Sequence, residues 1–221
     1  MKNTIYILAK QNPVTPPELF ASILGTHFTK QYSHIHVAHV NIVSHRWTRL
    51  IIDGKPHPHS FYKDSEETRN VAADVIEGKG IDINTGINGL TVLKSTHSQF
   101  WGFIRDEYTT LPETWDRILS TDVAANWQYK RFSGLDEVKA NVDKFDATWA
   151  AARDITLKTF AEDNSASVQN TMYKMSDQIL AFQPLVEVVD YSLPNKHYFE
   201  IGKSFPLLLS PPPVITSWTL C

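Results

Sequence analysis

The sequence predicts an α+β fold built from antiparallel strands and amphipathic helices, and three observations predict it. Apolar and polar residues alternate in several runs, as half-buried strands require. Apolar residues recur at spacings of three and four between Val138 and Phe182, as helices require. Tight turn signals at Asp53-Gly54 and Gly78-Lys79 join neighbouring runs closely enough for antiparallel pairing.

Taken in order, Ile5, Tyr6, Ile7 and Leu8 make a short apolar opening whose period fits a strand or a helix. Thr15 as N-cap, Pro16 at the first helical position and Glu18 three residues on read as a capping box, so a helix is expected from residue 16 to about 32. Residues 33–47 alternate and are rich in Val and Ile, a long strand, and the Asp53-Gly54-Lys55-Pro56 turn leads to another near residues 59–63. Residues 71–77 and 80–84 flank Gly78-Lys79 as a hairpin, and residues 90–95 form the next strand. Residues 122–132 alternate through Val123, Ala125, Trp127 and Tyr129 and end at Ser133-Gly134.

Val138, Val142, Phe145, Trp149 and Ala152 then mark one long helix to about residue 161, stopped by Asp163-Asn164-Ser165. A second helix carries Val168, Met172, Met175, Ile179 and Phe182, with Asn164 or Ser165 as its cap and Pro184 at its end. Residues 186–193 and 197–201 read as paired strands around Pro194-Asn195. The later half is thus strand, strand, helix, helix, strand, strand, and the earlier half helix, helix, strand, strand, a repeat at the level of element order. The last stretch, GKSFPLLLSPPPVITSWTLC, sets three leucines beside three prolines and has no useful period; residues 202–221 read as a divergent, disordered tail.

Bulk properties narrow the function classes. The 221 residues are 42% hydrophobic and 11% aromatic, enough for a packed core. A net charge of −3, with 21 Lys and Arg scattered among 24 acids, gives no basic field for nucleic acid. The one cysteine, Cys221, excludes an internal disulfide framework. The opening MKNTIYILAKQ is too short in apolar residues for a signal peptide, and no window approaches the roughly 18 apolar residues of a membrane span, so a soluble intracellular chain is expected. Six of the nine histidines (His34, His36, His39, His45, His57 and His59) fall in one short region, which invites a metal site. On a strand, however, His34 and His36 share one face and His39 and His45 the other, and no cysteine or tight carboxylate set completes a shell.

The run LTVLKSTHSQFWGFIRDEYTTLPETWDR, residues 90–117, sets Phe100, Trp101, Phe103 and Tyr108 beside fixed charge, with Leu111 and Trp115 looking buried. Composition alone reads such a cluster as core. As a pattern the run resembles the signature segment of urate oxidases (uricases) of the fungal type: an apolar strand ending Leu-Lys-Ser-Thr, then Ser-x-Phe-Trp-x-Phe, then a spaced Tyr, Leu and Arg. The resemblance continues through NPVTPPELF (12–20), HVNIV (39–43), HRWTR (45–49), DGKPHPHSF (53–61), EGKGID (77–82), KFDATWA (144–150), TLKTFAEDNSASVQ (156–169) and YSLPNKHYFEI (191–201).

The resemblance implies a tunnelling fold (T-fold), with antiparallel sheets, helices packed on one face and two tandem units. It favours a helix for the opening segment. It places an incomplete first unit at residues 1–78 and a second unit at 79–201. It implies oxidation of urate by dioxygen and water to 5-hydroxyisourate and hydrogen peroxide, with no metal and no organic cofactor. By the same resemblance Arg117 and Gln169 clamp the purine anion, the Val168 amide donates to it and Phe100 stacks on its ring. Asn195 borders the dioxygen site and His197 moves protons. The residues alone read more plainly: Arg117 as a surface ion pair, Val168 and Gln169 as an ordinary helix start, Asn195 as a turn residue.

A homotetramer and a peroxisomal location are implied as well, although Thr-Leu-Cys at the end is not a Ser-Lys-Leu address, so a cytoplasmic location is also open. One departure stands out: the family's relay Lys and Thr precede its first helix, and neither has a counterpart after Met1. The expectation is therefore a truncated uricase with impaired turnover. The alternative is a remnant that binds purine or forms oligomers. A pterin enzyme of the same fold fits the signature segment less well.

Overall fold

A computed structural model describes residues 1–198. Two helices open the chain, α1 (Lys2–Gln11) and α2 (Pro17–Gln31), followed by β1 (Val37–His45), β2 (Thr48–Ile52), β3 (Lys55–Tyr62), β4 (Thr68–Ile76), β5 (Gly80–Lys94) and β6 (Leu119–Tyr129). Then come α3 (Leu135–Ala140), α4 (Val142–Glu162), α5 (Val168–Phe182), β7 (Val186–Ser192) and β8 (Asn195–Lys196). The opening segment is thus a helix.

The main sheet is antiparallel with strand order β1-β4-β5-β6-β7, and β8 also pairs with β6. Residues 78–79 form the tight turn between β4 and β5, with Gly78 at φ +70°, and the two strands pair from Thr68↔Asn88 to Ile76↔Gly80. β1 shows the period of a half-covered sheet: Ala38, Val40, Ile42 and Ser44 turn inward while Val37, His39, Asn41, Val43 and His45 face out. The helices lie on the inward face. α2 lies so close to β4 that a Cβ at Gly25 would collide with the Val75 side chain, so glycine sets the helix-to-sheet distance there.

Tyr129, Phe132 and Phe145 interlock at the centre, the Tyr129 and Phe145 rings meeting edge to face at 5.2 Å. Burial pushes the Tyr129 hydroxyl up to about 12, so it stays neutral and accepts the Trp127 indole N–H at 3.2 Å.

The structure corrects several expectations. Thr15 is not a cap, because α2 starts at Pro17 with Pro16 in the cap position. Glu18 does not reach back to the backbone: it is fully buried, receives both Arg69 Nη2 contacts at 2.7 and 2.9 Å and accepts Thr85 Oγ1 at 2.8 Å. A buried cation outbids a backbone amide for a carboxylate. The strand expected at 33–47 is shorter, so His34 and His36 precede it.

The strand near residues 59–63 belongs to β2 and β3, which pair with each other as a separate two-stranded sheet. Residues 80–84 and 90–95 are one strand, β5, with its register shifted between Ile87 and Leu90. The single long helix is two, because Asn141 leaves helical geometry at φ −113°, ψ 14°. The hairpin expected around Pro194-Asn195 does not form: residues 195–196 are strand β8, which pairs with β6 rather than with β7. Pro194 has no N–H for a hairpin ladder, and β8 continues along the edge of β6 that β7 has followed. Residues 199–201 of that expected strand, and the expected tail at 202–221, lie outside the described residues.

Candidate active site

The site is assembled at one end of β5 and β6, where the sheet outruns its neighbour β4. β5 extends past Asn88, the last residue paired with β4, to Lys94 opposite Leu119. The chain from 95 to 118 therefore emerges beyond the sheet. It is pinned by backbone pairing rather than by a core: Phe100 exchanges both main-chain hydrogen bonds with Thr114 at 2.8 and 2.9 Å, and Arg117 N–H donates to Ser98 O at 2.9 Å. These bonds bring Phe100 and Arg117, far apart in sequence, onto one small platform. The Arg117 guanidinium carbon lies 5.1 Å from the centre of the Phe100 ring, and Phe103 stacks on that ring at 4.7 Å and 19°. Leu111 and Trp115, expected to be buried, are 52% and 61% exposed, because the segment lies on backbone pairs outside the sheet.

Ser98 and Ser165 join this platform to α5. Gln99 N–H donates to Ser165 O at 2.8 Å and Ser165 N–H to His97 O at 3.1 Å. Ser165 Oγ also meets Thr171 Oγ1 at 2.8 Å, which holds the loop against the first turn of the helix. Lys94 Nζ donates to Asp163 O at 2.6 Å, tying the end of α4 to the end of β5. The cap of α5 is Ser167, whose hydroxyl accepts Asn170 N–H at 3.2 Å; Asn164 and Ser165 lie too early in the chain to serve. Val168 and Gln169 are then the first two helical residues, where backbone amides have no intrahelical acceptor. Sequence reasoning placed both in the first turn but missed Ser98 and took Ser165 only as a candidate cap. Two small serines in polar loops carry no periodic signal.

Arg117 is electrostatically unlike the chain's paired arginines. The Arg153 guanidinium is raised by its hydrogen bonds to Glu67, Arg131 by Asp82, and Arg69, although burial lowers it, ends raised by Glu18. Burial pulls Arg117 down with no acid to offset it. Its Nε is buried without a hydrogen-bond partner, and among the described residues it forms no ion pair, so the surface ion pair the residues alone suggested is absent there. Partial burial of a cation with one buried donor unmatched carries a cost that an anion supplied from outside would offset.

Asn195 pairs with Thr121 and Lys196 with Ser120, which sets β8 beside the start of β6, three to four residues on from Arg117. Asn195 and His197 are both exposed. Lys196 Nζ bonds Asp122 Oδ1 at 2.6 Å, and this bond, with Thr91, holds the Asp122 carboxyl below its ordinary value. The histidine cluster divides into separate pairs: His36 Nδ1 with Glu77 and His39 Nδ1 with Asp74, both at 2.7 Å. Among the described residues no three His, Cys, Asp or Glu side chains converge as metal ligands, and no helix is long and apolar enough to cross a membrane. A groove of about 1070 Å³ lined by Thr26, Lys30, Gly78, Ser133 and Lys139 lies at the opposite end of β5, away from these residues.

The molecule is thus an α+β protein in which the Arg117 cation lies over the Phe100 ring, on a segment joined through Ser98 and Ser165 to the start of α5. The uricase family model matches residues 1–74 and 83–211. The uricase of Aspergillus flavus is 77% identical over 205 residues, which are 93% of this chain and 68% of that protein, and the uricase of Schizosaccharomyces pombe is 48% identical over 201 residues, 91% of this chain and 67% of that one. The crystal structure of the uricase from Arthrobacter globiformis superposes on 100% of this chain and 71% of its own with a TM-score of 0.83 at 38% identity. The chain belongs to the uricase family, and its fold is the tunnelling fold of those structures.

Proposed function

We propose that this chain oxidises urate with dioxygen and water, giving 5-hydroxyisourate and hydrogen peroxide. The observation that carries the reading is Arg117, partly buried, with its Nε unpartnered, without an ion pair among the described residues and set over the Phe100 ring. Urate is a flat anion rich in hydrogen-bonding edges. A planar fork of donors grips one edge, and the Gln169 side chain with the Val168 amide takes another. Phe100 stacks on the ring face, a contact worth about 0.5 to 1.5 kcal/mol beyond its burial.

Asn195 then borders the place where dioxygen and afterwards water meet the ring, and His197 passes protons there. The urate anion supplies two electrons, dioxygen takes them up with two protons as peroxide, and water adds hydroxyl to the purine. The same reading makes the working molecule a homotetramer of two-unit chains, the units meeting near residue 78, with the peroxisome as its location.

The test is loss of urate absorbance with the purified chain, together with calorimetry on a non-oxidisable urate analogue. Parent protein should bind the analogue, and Arg117→Lys should bind it roughly 10- to 100-fold more weakly, because an ammonium cannot reproduce the bidentate fork. Equal affinity in the two proteins would remove Arg117 from the site.

A further inference from the structure

We infer that the β2–β3 hairpin of one copy of this chain docks on the segment between Phe100 and Arg117 of a second copy. The inference rests on the homo-oligomeric reading above and names the surfaces that carry it. The hairpin stands apart from the main sheet as its own two-stranded sheet. It exposes Trp47, Ile51, Ile52, Phe61 and Tyr62, far more apolar surface than an arm in water needs. Its charge is positive: residues 45–63 hold Arg46, Arg49, Lys55 and Lys63 against Asp53, a net +3 in a chain of net −3, so the remainder carries −6. At its base Arg46 is answered by Asp64 and Glu67, and Lys63 by Glu66. Towards its tip Arg49 donates to the His57 and Pro58 carbonyls at 2.7 and 2.8 Å and meets no acid, and Lys55, at the turn, meets no acid either, among the described residues.

The complementary surface is on the same chain. Residues 101–116 expose Trp101, Ile104, Tyr108, Leu111 and Trp115, with Ile104 96% exposed. They carry Asp106, Glu107, Glu113 and Asp116 against Arg105, a net −3. Arg105 is spent on the Leu111 carbonyl at 2.8 Å, and none of the four acids meets a lysine or arginine among the described residues. Apolar side chains ringed by unanswered positive charge on one element, and by unanswered negative charge on the other, are what a complementary interface presents.

One chain does not satisfy itself, since both surfaces are exposed in it. Two chains related by a two-fold axis place hairpin on loop twice over, a closed reciprocal contact. Residues 101–116 connect Phe100 to Arg117, so the contact would order the platform on which both stand.

The experiment co-folds equal amounts of ¹⁴N- and ¹⁵N-labelled full-length chain, joins neighbouring Lys and Glu side chains with a zero-length carbodiimide, and reads the products by mass spectrometry. Light scattering after size exclusion reports the oligomer in parallel. Mixed-isotope links between Lys55 and Glu107 are expected. Lys55→Glu and Glu107→Lys should each raise the dissociation constant about tenfold or more, and the double variant should recover most of that loss. Both residues are exposed, and circular dichroism checks that each variant folds. A parent oligomer with no hairpin-to-loop links, or a double variant weaker than either single one, overturns the inference and leaves the homo-oligomer standing. A chain that is monomeric at every concentration removes both.

Discussion

At the scale of the residue, Glu18 shows how burial decides a side chain's role. The second residue of its helix, behind Thr-Pro-Pro, it has the sequence context of a capping box, yet it is fully buried and faces Arg69, itself drawn on by Asp146 at 2.6 Å. The second carboxylate makes the two ends of the pair unequal. Glu18→Gln leaves Arg69 a charged partner, whereas Arg69→Met leaves a buried carboxylate with Thr85 alone. Arg69→Met is therefore expected to cost about 3 to 5 kcal/mol, and Glu18→Gln clearly less. Urea denaturation followed by circular dichroism measures both, and a reversed order would show that Glu18 is not held by Arg69. Arg117 follows the same logic without the acid, which is why it is offered above to a substrate.

At the scale of the element, β8 is the least secured piece of the proposed site. Two main-chain pairs hold it to β6, and Lys196 on Asp122 is its side-chain anchor. The Lys196 hydrogen bond, with Thr91, lowers the Asp122 carboxyl from its ordinary value of 3.8, so the anchor is at full strength above that value and is lost as pH falls through the lower folded value. Amide exchange across residues 195–196 should accordingly be flat from about pH 5 to 8 once intrinsic rates are divided out. Asp122→Asn should raise it throughout that range. Unchanged exchange in the variant would mean that the ladder alone holds Asn195.

The start of α5 is firmer. Ser167→Ala should cost about 1 kcal/mol, the usual worth of a helix cap, read as a shift in the denaturation midpoint. A shift smaller than a few tenths would mean that the Ser165 contact to Thr171 positions Val168 and Gln169 without the cap.

At the scale of the whole molecule, a single chain leaves much surface unanswered. β1 is an edge strand with Val37 and Val43 facing out, α1 buries none of its residues, and the hairpin and the 101–116 segment expose large apolar side chains. Association would cover such surface and tie stability to concentration. The thermal midpoint should therefore rise as the protein is concentrated from nanomolar to micromolar, measured by fluorescence at matched scan rates. A midpoint independent of concentration would count against the homotetramer.

The sequence by itself determined the class of fold and the chemistry on offer. Period-two alternation and spacings of three and four are local, so α2, α5, the α3–α4 region as one helix and most strands were legible, while the period left α1 open between strand and helix, and the signature segment with its Phe100 and Arg117 could be recognised at fixed spacings. The placement of Val168 and Gln169 in a first turn was also legible, because helix starts announce themselves within a few residues. The tertiary structure alone decided what met what. Glu18 took Arg69 from 51 positions away, Ser98 met Ser165, and β8 followed β6 past Pro194 instead of folding back on β7. Each of these depends on desolvation or on pairing between distant strands, and such energies depend on neighbours that sequence spacing does not reveal.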